Sequence, residues 1–402
     1  MDMHKSLGKF ICALLPLLYV NCASAIIFYS NTPAGDINSK ICGVLDQMAA
    51  GSVNAGQTKL INAFNINPAY YPFNDNLHQM IPISNSISAT FEIHGDMFRE
   101  IETRVASLRN DYLAPIGMNA GDLSTGGSMW ISGTGSFIDQ GPNGDDDGYN
   151  EKTGIFLFGT DVRSANKANV LGVAGGFSTS YTKELSNAGF INHTERYHGI
   201  FYGSHDMRAN NYLDWLVSGS FNHNINHRDI NVNGVNLTTH GNFYSYQVAG
   251  KISRSKSFDF CDSYRLTPLT YLQYVFLHQN SYSETGSVAA LNVEQINKNI
   301  ATVAAGLKFD MPLDAWKCIG MRELRAAVVY DFINNKNITN AAFVVGSNDF
   351  AVVSSPVRLG VIVGAGVTYD FCDHLLFELN YDFEYRARFT DNSVMVKFKW
   401  VF

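Results

Sequence analysis

Past residue 25 the sequence contains no apolar run approaching the ~18 residues that a membrane-spanning helix needs, so membrane residence would have to be by strands. Charge is scarce, at 16% of residues, and the net formal charge of −7 gives no basic excess to hold nucleic acid. Only four of the six cysteines lie beyond the first 25 residues: Cys42, Cys261, Cys318 and Cys372. None is spaced C-x-x-C, which leaves zinc and redox catalysis without support. The G-x-S-x-G elbow, the H-E-x-x-H zinc site and the phosphate-cradling loop are all missing. Gly121-Asp122-Leu123-Ser124 comes near an esterase signature but carries Leu where the nucleophile belongs. The 11 histidines are scattered, and His223 and His227 have no matching carboxylate pattern. Asn143, Asp145, Asp147 and Gly148 imitate the start of a calcium loop, yet Gly154 stands where a bidentate Glu should close it. The sequence thus offers no catalytic residue, metal site or cofactor site, and reads as a non-enzyme.

What the chain does have is 13% aromatic residues, 34 glycines and an export-type beginning. His4, Lys5 and Lys9 supply a positive start, Phe10 to Val20 an apolar core too short to span a bilayer, and Ala23-Ser24-Ala25 a small-residue cleavage site at Ala23 and Ala25. Removing residues 1–25 leaves 27 basic and 35 acidic side chains, mildly acidic as suits a surface protein. An exported compartment permits disulfides. Cys261, Cys318 and Cys372 fall in connections on one side of the expected fold, and whether two of them pair stays open, because bridging needs Cα atoms within ~7 Å.

The last residues show the organising pattern. Val394, Val396, Phe398, Trp400 and Phe402 form an unbroken apolar row, while Ser393, Lys397 and Lys399 alternate with them. Successive strand side chains point to opposite faces, so one face is oily and the other basic. Period two recurs from Met129 onward, in runs beginning near Trp130, Ile155, Val170, Tyr197, Tyr212, Phe243, Leu269, Ile300, Glu323, Val357, Leu375 and Ser393. In one such run Leu375, Phe377, Leu379, Tyr381, Phe383 and Tyr385 oppose Glu378, Asn380, Asp382 and Glu384; in another Leu324, Ala326 and Val328 oppose Glu323 and Arg325. Twelve strands with oily and wet faces predict a closed membrane barrel whose charged residues, Glu323, Glu378, Asp382 and Glu384 among them, face the lumen. Segments 163–168, 206–210 and 371–374 read as tight turns, and 140–150, 182–193, 224–240, 281–294 and 334–355 as longer loops on the opposite end. Connections 255–264 and 310–320 fall on the turn side but are longer.

Ahead of the strands, residues 89–113 predict a helix with an apolar stripe of Ile93, Met97, Ile101, Val105, Leu108 and Tyr112. Its length of ~37 Å would thread a bilayer inside a barrel. Arg99, Arg104 and Arg109 lie on its polar surface, set to meet lumen carboxylates such as Glu323, Glu378, Asp382 or Glu384, or simply to solvate the pore. Further upstream, 26–40 is turn-rich, and 41–50 and 58–64 show weak helical patterns. Pro68, Pro72 and Pro82 then break up a loop-like stretch. Nothing there is long enough to build its own core.

Several stretches resemble the translocator end of an autotransporter (type V secretion). Phe98-Arg99-Glu100-Ile101-Glu102-Thr103-Arg104-Val105-Ala106-Ser107-Leu108-Arg109 resembles the helix such proteins leave in the pore, and Asn76-Leu77-His78-Gln79-Met80-Ile81-Pro82 the junction before it. Trp130 with Gly133 and Gly135 is similar to the first strand, and Gly154, Gly159 and Asp161 to the second. Gly364-Ala365-Gly366-Val367, the run 375–385 and Phe402 resemble the last three strands. The resemblance implies an all-β fold: a 12-stranded antiparallel transmembrane β-barrel with an N-terminal α-helix threading the pore. It also implies a barrel-assembly signal at Val396, Phe398, Trp400 and Phe402. The chain departs from the family in having only ~60 residues ahead of the helix for a passenger, and no Asn-Asn pair between 89 and 118 for self-cleavage.

The expected organisation is therefore a signal peptide (1–25), a short passenger and junction (26–88), a pore-plugging helix and linker (89–118), and an outer-membrane barrel (119–402). The expected role is to insert in the outer membrane of a Gram-negative bacterium and to export and anchor the short N-terminal passenger at the cell surface. Expected partners are outer-membrane lipid, the barrel-assembly machinery and periplasmic chaperones, with no nucleic acid and the protein a monomer. The alternative is a passenger-less surface antigen or adhesin that meets host surface molecules through loops 182–193, 224–240 and 334–355. A third reading is a small pore, which a helix plug opposes.

Overall fold

The computed structural model describes residues 41, 44, 54–64, 86–109 and, with short gaps, 127–400. The export-type start, residues 26–40, Cys42, the linker 110–126, Cys261, Cys372 and Phe402 lie outside the described residues. Among the described residues, two helices with defined bounds come first, α1 (Ala55–Phe64) and α2 (Ser86–Arg109). α2 thus starts three residues before the expected 89, since a hydropathy stripe fixes a helix end only to within a few residues.

Among the described residues seventeen strands come after them. They are β1 (Gly127–Gln140), β2 (Tyr149–Arg163), β3 (Asn169–Glu184), β4 (Ile191–Asp206), β5 (Asn211–Val232), β6 (Val235–Lys256), β7 (Phe258–Phe260), β8 (Tyr264–Gln279) and β9 (Tyr282–Ser283). The rest are β10 (Leu291–Val293), β11 (Ile296–Ala315), β12 (Cys318–Asn334), β13 (Asn337–Phe343), β14 (Phe350–Ser354), β15 (Leu359–Phe371), β16 (Leu375–Arg386) and β17 (Phe389–Trp400).

Twelve of these form one closed antiparallel barrel in the order β1-β2-β3-β4-β5-β6-β8-β11-β12-β15-β16-β17. β17 pairs back onto β1 from Met129↔Trp400 to Gln140↔Phe389, so no edge is left open. Each of the twelve runs anticipated from period two becomes one of these strands. The alternation is literal: in β2, Glu151, Thr153, Ile155, Leu157 and Asp161 are buried inside, while Phe156, Phe158 and Val162 are exposed outside. Val396 and Phe398 take the outward face of β17 and Lys397 the inward one. Exposed apolar rows of this kind would be a liability in water and are the requirement for lipid contact. Among the described residues no helix is long and apolar enough to cross a membrane.

The end at which β1 begins carries the tight connections. Segment 310–320, anticipated as a long connection, is instead the paired ends of β11 and β12 (Asp314↔Ile319, Ala315↔Cys318). The opposite end carries the elaborations. Segment 224–240 is no loop: β5 and β6 continue in register to Val232↔Val235. Its inward positions Asn224, Asn226 and Arg228 are polar and only Ile230 near the tip is apolar; Asn224 donates from Nδ2 to Ser245 Oγ at 3.2 Å. Period two persists there, but the oily signal ends, because a strand that has left hydrocarbon needs no apolar outer face. Segments 281–294 and 334–355 likewise hold structure, a second sheet ordered β14-β13-β10-β9. Loop 182–193 shrinks to residues 185–190.

Candidate functional site

The lumen is occupied by α2. The helix divides its surface between two chemistries, and the barrel wall is divided to match. Met97, Phe98, Ile101 and Val105 are buried against Trp130, Ile155, Leu157, Ala174, Ile200, Tyr202 and Leu216, inward residues of β1 to β5. This apolar wall was not anticipated; the inward positions were expected to be wet. Its sequence signal was present, since Ile155 and Leu157 share a face with Glu151 and Asp161. An apolar helix stripe inside a pore needs such a partner, or burial of the stripe gains nothing.

The polar face of α2 is held from several sides. Arg104 donates from Nε to Asp161 Oδ2 and from Nη2 to Asp161 Oδ1, both at 2.8 Å, with both side chains almost wholly buried. This fork-on-carboxylate geometry is the strong form of an ion pair. Asp161 Oδ2 also accepts from Tyr202 Oη at 3.0 Å, and Tyr202 Oη accepts from Trp130 Nε1 at 3.0 Å. One chain of bonds therefore ties helix residue Arg104 to β2, β4 and β1. Gly159 leaves the space for it: a Cβ there would stand 2.6 Å from the Trp130 ring.

One turn earlier, Arg99 pairs with Asp96 on its own helix and lies 3.8 Å from Asp382 Oδ2, 3.7 Å from Glu384 Oε2 and 3.7 Å from Asp391 Oδ2. Glu100 accepts from Thr134 Oγ1 at 3.0 Å, and its backbone carbonyl accepts from Lys397 Nζ at 3.0 Å. Glu102 accepts from Lys251 Nζ at 2.9 Å. The helix is thus tethered to β1, β2, β6, β16 and β17.

Of the anticipated meetings, the structure brings Arg99 to Asp382 and Glu384. It does not bring Arg104 to any of the four named carboxylates; its partner is Asp161, which sequence reasoning missed as a partner. Glu323 instead pairs with Lys308 (2.7 Å) and Arg325 (2.6 Å), and Glu378 lies 3.6 Å from Lys397. All of these lie within the barrel wall, Lys308 and Lys397 reaching from a neighbouring strand and Arg325 from the same one. The side chain of Arg109 lies outside the described residues. The reason is geometric: which carboxylate meets which arginine depends on barrel register and helix rotation, and neither is written in local sequence.

The helix does not fill the lumen evenly. A cavity of about 180 Å³ remains on the side of β8, β11 and β12, with Gly95, Arg99, Lys251, Tyr271 and Arg325 in its lining. Nothing lies within 4 Å of where a Cβ on Gly95 would be. Among the described residues no group of three His, Cys, Asp or Glu side chains is placed to hold a metal ion. Asn143 and Asp145, weighed as a calcium loop, are spent on structure: Asp145 Oδ2 accepts from Val353 N at 2.9 Å, and Asn143 Nδ2 donates to Ser355 O.

The architecture has counterparts. The family profile described as autotransporter beta-domain matches residues 129–382. The translocator domain of the autotransporter NalP from Neisseria meningitidis superposes with a TM-score of 0.60 at 16% identity, covering 78% of this chain and 98% of that one. The transport unit of the autotransporter AIDA-I from Escherichia coli superposes with a TM-score of 0.50 at 13% identity, covering 74% and 98%. No curated protein matches the sequence.

Proposed function

The chain belongs to the autotransporter β-domain family, an outer-membrane β-barrel translocator by its fold, and from that premise we propose that it exports and anchors its own N-terminal segment. In this reading the barrel inserts with the tight-turn end in the periplasm, which matches the short periplasmic turns and longer outer loops of such barrels. The chain ahead of α2 then crosses to the outer face, and α2 stays behind as the plug. The observation that carries the reading is the direction of the helix. Arg104, near its end, is held by Asp161, whose register partner Ser128 opens β1 at the tight-turn end. Asn54, upstream of the helix, meets Val345 among the elaborations at the far end. The segment before α2 and the strand after it thus lie at opposite mouths.

Insertion is assigned to the barrel-assembly machinery and periplasmic chaperones, acting on the alternating apolar sequence Val396, Phe398, Trp400 and Phe402. Arg99 and Arg104 hold the plug. The protein's role is transport and display rather than catalysis.

The test uses intact cells, with one epitope tag after Ala25 and another in the β3–β4 connection, residues 186–188. Antibody access to both tags is the expected result. Access to the β3–β4 tag alone would leave the N-terminal segment in the periplasm and overturn the reading. In that case a surface antigen or adhesin working through its outer loops would take its place.

A further inference from the structure

The far end of the barrel carries a second hydrophobic core, separate from the lumen. Ile230 comes from the β5–β6 hairpin, Leu291 and Val293 from β10, Ala341 and Phe343 from β13, and Phe350 and Val352 from β14. These elements belong to three different connections and are locked to one another. β10 pairs with β13, and Arg228 of β5 pairs with the buried Glu284 beside β9. Glu284 Oε2 in turn accepts from Leu291 N at 3.1 Å, and Arg228 Nη2 donates to Ala289 O at 2.9 Å. Phe243 stacks on Tyr282 at 4.2 Å, and burial pushes the Tyr282 phenol well above its ordinary pKa. A loop surface built to grip varied partners would leave its apolar side chains exposed. Here Leu291, Val293, Phe343, Phe350 and Val352 are turned inward into one core, while Ile338 and Val344 stay exposed.

The core is completed by residues the barrel does not own. Ile41, Val44 and Leu60, all from ahead of the pore helix, are buried in it. The start of α1 is shaped for the same contact. Asn54 and Gln57 form a reciprocal cap, Gln57 N donating to Asn54 Oδ1 and Asn54 N to Gln57 Oε1, each at 2.8 Å. Each amide has its nitrogen left over, and both reach one turn between β13 and β14: Asn54 Nδ2 donates to Val345 O at 2.8 Å, and Gln57 Nε2 to Gly346 O at 2.6 Å. Gly56 lies so close that a Cβ there would be 3.2 Å from Val345 Cβ. Capping and docking are done by the same two side chains, so α1 is set at the place where it binds.

We propose that residues 41–64 are retained cargo: an internal ligand of the β9–β10–β13–β14 sheet, docked so that segment and outer connections form one folded ectodomain. This rests on the reading that the segment reaches the outer face. A stretch too short to make its own core acquires one from the barrel's loops, and the exported N-terminus is held against the mouth instead of being released. The loop surface offered to the surroundings is then the outside of this composite, with Asn54, Ala55, Thr58 and Lys59 exposed on it.

The test places cysteines by Gly56→Cys with Val345→Cys in the full-length protein, in cells, with each single variant as control. A disulfide joins Cβ atoms ~3.5–4.5 Å apart, close to the spacing here. The expected result is an intramolecular cross-link, seen as a reducible mobility shift, in the double variant only, opened on intact cells by a membrane-impermeant reductant. Adding Leu60→Asp should abolish it. If Gly56→Cys alone is labelled by impermeant maleimide on intact cells while the double variant forms no cross-link, the segment is exported but undocked, and the proposal falls while export stands. A cross-link between two chains would make the ligand a second copy and also overturn it. Labelling only after the outer membrane is permeabilised would overturn export and docking together.

Discussion

Arg104 and Asp161 show what one residue pair does in this barrel. Both are buried, so removing the arginine takes the paired cation away from a buried carboxylate, at a cost of about 3–5 kcal/mol. Arg104→Ala should therefore lower the thermal unfolding midpoint of the detergent-solubilised protein and raise its open-pore current. Replacing both partners by apolar residues (Arg104→Met with Asp161→Leu) should recover most of the loss in stability. An unchanged midpoint in Arg104→Ala would deny the pair its anchoring role. Gly159→Ala makes a second, local claim. The new methyl would meet the Trp130 ring, so the ring must tilt and give up its bond to Tyr202. Altered tryptophan emission in an otherwise folded barrel is the expected readout. At this scale the sequence was half legible. The helix arginines stood out, and Asp382 and Glu384 were among the partners expected for them. Asp161 was visible as part of the second strand, but the contact waits on how far α2 is turned about its axis.

Among the elements, the strands were the most legible, because hydrocarbon on one side and a wet or helix-packed interior on the other impose period two on every residue between. The same logic explains the misreading of 224–240. Beyond the hydrocarbon the inward positions Asn224, Asn226 and Arg228 are polar and only Ile230 near the tip is packed in an apolar core, so the hydropathy alternation stops although the hydrogen-bonded ladder does not. The helix was legible by its stripe, and its groove was not, since the apolar inward positions of β1 to β5 are spread over five strands. Gly95 sits inside α2 with open cavity beside it. Glycine in a helix interior costs roughly 0.5–1 kcal/mol against alanine. Gly95→Ala should stabilise the plugged barrel by that order, read as a higher unfolding midpoint. A lower midpoint would mean that the space is needed by something else.

For the whole molecule, closure of β17 onto β1, an outward apolar surface and a helix tethered to five strands make a helix-occupied barrel with its long connections gathered at one mouth. The upstream segment could not have been assigned a place from its own residues. Weak helical patterns and a few prolines carry no address, and its core lies in connections far along the chain, Asn54 and Val345 being 291 residues apart. What that segment contributes becomes visible only once four strands from two connections have formed a sheet.

If α2 seals a barrel that would otherwise conduct, single-channel recording in planar bilayers will show it. The intact protein is compared with a variant lacking residues 86–109. The expected result is a small conductance through the remaining cavity in the intact protein and a several-fold larger one after deletion. Equal conductance in the two, with the deleted protein still folded as a barrel, would mean that α2 is not the seal.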